Sequence, residues 1–337
     1  MKALPINENL RYRGTEKTPD IKIFVSHRID IESFQVPNQL FVNILCGAFR
    51  PHKDIGLIGD NTGDNISEQQ PFFSELTVQY WAWKNQEADY YGLCHYRRYF
   101  SFSDKRYPTS TANFICEPLL NNHAVKKFKL NDTKLIENLM DNFDCLIPEP
   151  SDARNWIPQN GNPIPQNIRE LWIYFENVYE KDIDILTSII DRKFPEYTPI
   201  YKEYFAQTKH RGYNVFLMKK ELFFSMCDFQ FTILDEFQKI VDAKLYEDAN
   251  KRRVYGYMAE LLFGIFTYKM EKEQKYRIKS LQCVLFLHTE KKLTIKKAIY
   301  IGLYRFYEIF FPFKTNKFFV ILKKFIIKSN IAKWLKK

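Results

Sequence analysis

At 337 residues the chain has room for one large domain or two modest ones of ~150 residues each, and its 45% hydrophobic and 27% charged residues exclude a disordered segment, a collagen and a coiled-coil rod. The net charge of +10 is not spread evenly: residues 291–337 carry thirteen Lys/Arg against one acid, Glu308, so residues 1–290 hold a balance of −2. That distribution removes the electrostatic footprint of a nucleic-acid-binding body, and no nucleic-acid partner is expected.

The six cysteines are far apart, with no CxxC pair and no clustered histidine, so they are predicted to be reduced and buried rather than zinc ligands. The first twenty residues lack the apolar stretch of a secretory signal, and no run of ~20 apolar residues is present to cross a membrane. These features predict a cytoplasmic protein with a body over 1–290 and a basic, amphipathic tail over 291–337.

In chain order, the first predicted strand is Ile21–Val25, an apolar β-branched run followed by Ser26-His27-Arg28. A second apolar run, Leu40–Leu45, ends at Gly47. The stretch GLIGDNTGDNIS, residues 56–67, is a loop by its turn chemistry. Ser74-Glu75-Leu76-Thr77 opens a helix to Lys84, and a strand over Tyr90–Cys94 runs into His95-Tyr96-Arg97-Arg98-Tyr99. Phe143–Ile147 reads as a strand, and residues 151–167 as a functional loop rich in Pro, Asn and Gln. Helices are expected over Arg169–Tyr179, Asp182–Lys193, Leu222–Asp242 and Gly256–Met270, with a strand over Asn214–Met218. Alternation of strands and helices gives an α/β class.

Two arginines, a histidine and two tyrosines just past a strand's carboxyl end sit where open α/β sheets bind ligands, and paired guanidinium donors match phosphate oxygens. The other reading of the same residues is a set of structural ion pairs with acids such as Asp89 or Asp104; residue chemistry alone leaves both open. Asp60, Asn61, Asp64 and Asn65 offer oxygens to a cation or to sugar hydroxyls, although a solvated turn explains them as simply. Asp182-Ile183-Asp184 reads as a decoy for a metal site, with solvent-facing carboxylates on a helix. His27 reads first as a structural histidine, and Cys94 shows no sign of an activated thiolate. Neither GxGxxG nor GxxxxGK[ST] occurs, which excludes the usual dinucleotide and P-loop fingerprints. Glu260, an acid among apolar neighbours in GYMAELLF, would have its pKa raised toward that of a general base if buried in a cleft.

From Ile21 to Tyr268 the chain resembles bacterial glycosyltransferases of capsule, O-antigen and exopolysaccharide clusters, a family long catalogued as a domain of unknown function that includes galactofuranosyltransferases. The resemblance rests on IKIFVSHR, IGDNTGDNIS, SELTVQYWAWKNQEADYYGLCHYRRYF, YNVFLMKKELF and RRVYGYMAELLF. Two departures are Arg28, where a Lys is usual, and a loop 151–167 unusually rich in Pro and Asn.

The resemblance implies a GT-A-like fold that moves a sugar from a nucleotide-sugar donor, a UDP-sugar, to a lipid-linked oligosaccharide acceptor, with inversion. Donor binding then falls to His27, Asp60, Asn61, Asp64, Asn65, His95, Tyr96, Arg97 and Arg98, and acceptor binding to Asn214. Glu260 is the expected base, with Asp144 in reserve because it precedes a strand end. In GT-A folds a D-x-D pair holds a divalent cation at the diphosphate; here HYRRY fills that place, and two arginines with a histidine can supply the positive charge. No resident metal ligand set is expected, and Mn2+ or Mg2+ gathered by Asp60 and Asp64 stays an open alternative. A noncatalytic carbohydrate-binding or assembly protein on the membrane surface is the competing reading.

The tail projects over Ile295–Phe311 as an amphipathic helix, with Lys297, Arg305 and Glu308 on one face and Ile295, Ile299, Leu303, Phe306 and Phe310 on the other; only Ile301 intrudes on the polar side. It is expected to lie on an anionic membrane surface at the inner face of the cell membrane. Docking of the same face onto the protein's own core is the alternative.

Overall fold

A computed structural model describes residues 18–291 except 159 and 160, and then 294, 295, 297–299 and 301. In chain order the strands are β1 (Ile21–Arg28), β2 (Phe41–Cys46), β3 (Ile58–Gly59), β4 (Tyr90–His95), β5 (Arg98–Phe100), β6 (Phe114–Leu119), β7 (Cys145–Pro148), β8 (Ser151–Asp152), β9 (Lys209–His210), β10 (Phe216–Lys219), β11 (Ile278–Leu281) and β12 (Cys283–His288). The main sheet runs β11-β7-β10-β4-β1-β2-β3, and β12, β5 and β6 extend it at the side of β4. Pairing is parallel through β4-β1-β2-β3 and β11-β7, and only β10 and β5 run against their neighbours in the sheet.

The continuous apolar runs in the sequence follow from burial on both faces of the sheet. Along β1, Phe24 joins one core while Ile23 and Val25 join the other. The same alternation divides Phe216 and Met218 from Val215 and Leu217, and Cys145 and Ile147 from Leu146. The first core is closed by the helices Leu76–Asn85, Glu180–Lys193, Lys220–Ile240 and Val254–Glu273, with Tyr91 stacked on Phe223 at 4.5 Å. The second is closed by Asn122–Lys127 and Thr133–Asn142, helices that the sequence reading does not assign, each N-capped by an Asn or Asp side chain, Asn121 and Asp132.

Several bounds differ from expectation for local reasons. Phe143 caps the Thr133–Asn142 helix through its N–H to Leu139 O, so β7 starts at Cys145. The helix expected to reach Tyr179 stops at Ile173, where Phe175 turns back to Trp172 O (3.3 Å) and packs on Tyr257. Five of the six cysteines are buried, and Cys116 is partly exposed. Asp182 does not face solvent as expected: it is fully buried, accepts the Tyr246 hydroxyl (2.5 Å), and caps the Glu180–Lys193 helix. Its neighbour Asp184 is exposed and pairs with Arg169.

After β12, Phe34 N–H bonds Thr289 O (2.6 Å) and Lys291 N–H bonds Glu32 O (3.1 Å). Just beyond, Lys297 pairs with Glu290. Ile301, expected to intrude on a polar face, is buried, whereas Ile295 (81% exposed) and Ile299 point outward. The remainder of the predicted amphipathic tail lies outside the described residues. Among the described residues no helix is long and apolar enough to cross a membrane.

Candidate functional site

β1 continues to β2 on one side while β4 lies on its other side, so the sheet's topological switch falls between β1 and β4. Ligands of open α/β sheets bind outside the carboxyl ends of such strands. Here those ends are His27-Arg28 and His95. The HYRR segment is a tight hairpin: His95 pairs with Arg98 across a two-residue turn, Tyr96-Arg97. Tyr96 N–H bonds Ser26 O (3.0 Å), and Phe286 N–H bonds Arg97 O (2.8 Å), which fixes the turn to β1 and β12.

Arg98 leaves this hairpin over the rings of Tyr213 and Phe114, and its Nη1 lies 3.9 Å from Glu260 Oε1. Glu260 comes from the Val254–Glu273 helix, whose N-cap residue Arg253 precedes it by seven residues, two turns, and so lies on the same side as Tyr257 and Glu260. Burial, opposed by Arg98, aided by Glu75 and again opposed by Arg253, pushes the Glu260 carboxyl up to about 8. The Nε atoms of Arg97 and Arg98 are buried without hydrogen-bond partners. Orphaned buried guanidinium donors are costly unless a ligand satisfies them.

Glu75 and Arg253 complete the cluster, and the sequence reading singles out neither. Glu75 follows Ser74, whose φ of 54° and ψ of −131° lie in a region that a side chain rarely adopts, at a cost of about 1–3 kcal/mol. That conformation is held from several sides. Ser74 N–H bonds Gln70 O (2.8 Å), Ser74 O accepts from Cys46 Sγ (3.3 Å), and Arg253 Nε donates to Ser74 Oγ (2.9 Å). The long helix packs directly on this turn at Gly256, where a Cβ would sit in ordinary contact with Phe73 O and Ser74 Oγ at 3.4 Å. Asn214, just before β10, donates from Nδ2 to Glu75 Oε1 (3.5 Å), and its buried Oδ1 is without a partner. Thus His95, Tyr96, Arg97, Arg98, Asn214 and Glu260, all predicted, come to one place.

The histidines do not add positive charge. His95 is pushed well below the ordinary histidine range by burial and then by Arg98, Arg97 and Arg253, so it is neutral. It accepts the Arg97 amide at Nδ1 (3.4 Å), which leaves Nε2–H as a donor. The charge expected from two arginines and a histidine is therefore carried by Arg97, Arg98 and Arg253. His27 is fully buried, lowered chiefly by burial, and bonded at Nε2 to Asn43 Oδ1 (2.8 Å), which places it behind the cleft as a β1–β2 tie.

The acidic loop is not brought into the cluster. Asp60 is fully buried and accepts from Gly47 N (2.8 Å), Ala48 N (3.0 Å), Ser67 Oγ (2.5 Å) and Thr77 Oγ1 (2.6 Å). Both carboxylate oxygens serve the fold, so neither a sugar nor a cation meets this residue. Asn61 donates to Ala48 O (3.2 Å), and Asn65 ties Gly63 O to Ser67 N. Asp64 is docked on the Leu76–Asn85 helix through Tyr80 and Asn85. Gly63 (φ +58°) is required there, because a Cβ would fall 2.0 Å from Asn85 Oδ1. The loop follows β3, three strand spacings or roughly 14 Å from β4.

Asp144 is also elsewhere. It precedes β7, at the amino ends of the parallel strands, where Arg277 (2.9 Å) and Lys219 (2.8 Å) grip it. Burial raises its carboxyl, but the two cations outweigh this and hold it well below the usual range. It is a structural clasp and not a reserve base.

Among the described residues no three His, Cys, Asp or Glu side chains group as metal ligands. The carboxylates within the cluster, Glu75 and Glu260, are interleaved with Arg98 and Arg253. That donor set suits an anion with hydroxyl groups and does not fit the divalent cation of a D-x-D site. The border of the cluster is apolar where Tyr257 meets Phe175 and Phe175 meets Trp156; in the same loop 151–167, Ile157 and Ile164 are exposed.

Among curated proteins, none matches the chain. In solved structures it is similar to the apo form of WbbM, a bifunctional glycosyltransferase, with 28% identity and a TM-score of 0.72 over 82% of this chain and 47% of that one. The chain thus spans about half the length of that protein. Residues 22–273 match a family described as a domain of unknown function, DUF4422, a span that includes every residue of the cluster. On that match over most of its length, the chain belongs to the DUF4422 family.

Proposed function

We propose that the protein is a glycosyltransferase whose nucleotide-sugar donor is held at the carboxyl ends of β1 and β4. The observation that carries the reading is Arg98 lying 3.9 Å from the Glu260 carboxyl beside two unpartnered guanidinium nitrogens at the switch point of the sheet. The likeness to WbbM supports it.

Transfer needs positive charge on the departing diphosphate and a base for the acceptor hydroxyl. Arg97, Arg98 and Arg253 provide the first. Glu260 provides the second: as the acceptor oxygen bonds to the anomeric carbon, its proton passes to Glu260, and the bond from that carbon to the phosphate oxygen breaks with its electrons on the diphosphate. Attack opposite the leaving group gives inversion, on a GT-A-like fold.

The finer assignments extend the same proposal. The donor is a UDP-sugar, galactofuranose being one candidate, and the acceptor a lipid-linked oligosaccharide of a capsule, O-antigen or exopolysaccharide, met over the apolar side chains of Trp156, Ile157 and Ile164. A basic tail whose Ile295 and Ile299 point outward suits an enzyme that works at the inner face of a bacterial membrane. Purified protein supplied with UDP-, GDP- and dTDP-sugars and a membrane glycolipid extract tests the reading. Release of nucleoside diphosphate with a new glycan product is expected; affinity for donor or glycan with no release would make the protein a binding module.

A further inference from the structure

Glu75 takes no part in the transfer step above, yet a strained backbone at Ser74, fastened by Arg253 and Cys46, puts it in the cluster. Its exposure is 8% and that of Asn214 is 3%, so both polar groups are buried with little access to bulk water. The Asn214 amide is turned with Nδ2 toward Glu75 Oε1 (3.5 Å), and its Oδ1 is an acceptor without a donor. Two fixed acceptors side by side, a carboxylate and an amide oxygen, call for two neighbouring donors. A phosphate is repelled by the carboxylate, and an ammonium group by Arg98 and Arg253. Neutral hydroxyls on a rigid ring satisfy both acceptors without either penalty.

We propose that Glu75 and Asn214 form the subsite that recognises two adjacent hydroxyls of the transferred sugar. The inference rests on the glycosyltransferase reading and adds to it the residues that select the sugar. A site built to hydrogen-bond a hydroxyl rejects the analogue lacking it, because its own buried groups are then left unpaired.

The test is calorimetric titration of the full chain with UDP, UDP-glucose, UDP-galactopyranose, UDP-galactofuranose, GDP and GDP-mannose. For the nucleotide that binds, Glu75→Ala and Asn214→Ala are expected to match the unaltered protein within about twofold on the free diphosphate and to lose about tenfold or more on the nucleotide sugar. Singly deoxygenated donors add a readout that needs no variant. The unaltered protein should lose about tenfold on removal of one of two adjacent ring hydroxyls, and Glu75→Ala should be indifferent to the same removal. Equal loss on diphosphate and nucleotide sugar overturns the inference, as does a donor whose every ring hydroxyl is dispensable. Intact nucleotide-sugar binding by Glu75→Gln with lost turnover also overturns it, and would move Glu75 into the acid–base machinery. Failure of the unaltered protein to bind any of the six ends the reading of a UDP- or GDP-sugar donor and this inference together; normal binding that Glu75→Ala leaves untouched ends the inference alone.

Discussion

Arg98 Nη1 stands 3.9 Å from Glu260 Oε1, so a cation delivered by the β4–β5 hairpin faces the carboxylate whose proton affinity burial has raised. The two effects oppose each other, and burial wins. Removing the cation therefore moves Glu260 further in the direction burial already pushes it.

For Arg98→Ala the expected outcome is a loss of about tenfold to a hundredfold in nucleoside diphosphate affinity, together with an upward shift of the Glu260 titration seen in kcat/KM against pH. Arg98→Lys and Arg97→Lys keep the charge but lose the planar fork, and should weaken binding less than Ala does. Normal diphosphate binding by all three, with lowered thermal stability, would mark the arginines as structural.

Glu260→Gln should lower transfer by ~10²–10⁴ while donor binding survives. The same change alters stability in a pH-dependent way. Burial pushes the Glu260 carboxyl up to about 8 in the folded protein, against 4.5 for a free one. Stability from its raised pKa is fully present below 4.5 and is lost as pH rises through 8. With 19% of the side chain still exposed, the loss is on the order of 2 kcal/mol, well under the full shift at 1.36 kcal/mol per unit. Denaturant midpoints across pH 5–9 should fall for the unaltered protein and stay level for the Gln variant.

Asp144→Asn separates the clasp from the chemistry. Because Arg277 and Lys219 depress this carboxyl, its contribution is present above the unfolded value of 3.8 and disappears as pH falls below it. The variant should be less stable by ~1–3 kcal/mol at pH 7, approach the unaltered protein at strongly acidic pH, and keep its turnover. Lost turnover at unchanged stability would restore Asp144 as a base.

Removal of divalent cations follows from the donor set at the site. Exhaustive EDTA treatment should leave nucleoside diphosphate affinity and turnover within about twofold, since guanidinium groups fill the role. Activity restored only by added Mn2+ or Mg2+ would show that the arginines do not replace a metal.

Much of this architecture is legible in the chain because strands buried on both faces leave continuous apolar runs, as in IKIFV and FLM, and long helices leave periodic ones. β5 and β6 are less legible, since β5 has three residues and Glu117-Pro118 interrupts the apolar run of β6. His95, Arg97 and Arg98 stand out because charge adjoins a strand end. Arg253 carries a usable signal, seven residues before Glu260 and on the same side. Glu75 carries almost none: its place depends on the positive φ of Ser74, which is held locally by Gln70 and by Cys46 and Arg253 from two other parts of the chain. Asp60 misleads for the converse reason, because a Gly- and Asn-rich loop looks solvated until its four hydrogen-bond donors are seen.

The most direct measurement is the rate of nucleoside diphosphate release from the best donor, with acceptor glycan present, for the unaltered protein and Glu260→Gln across pH 6–9. The account predicts a rate for the unaltered protein that climbs to a plateau above about pH 8, and a pH-independent residue of ~10⁻² or less of that rate for the variant. Equal rates for the two proteins, or no release at any pH from a donor that binds, would contradict it.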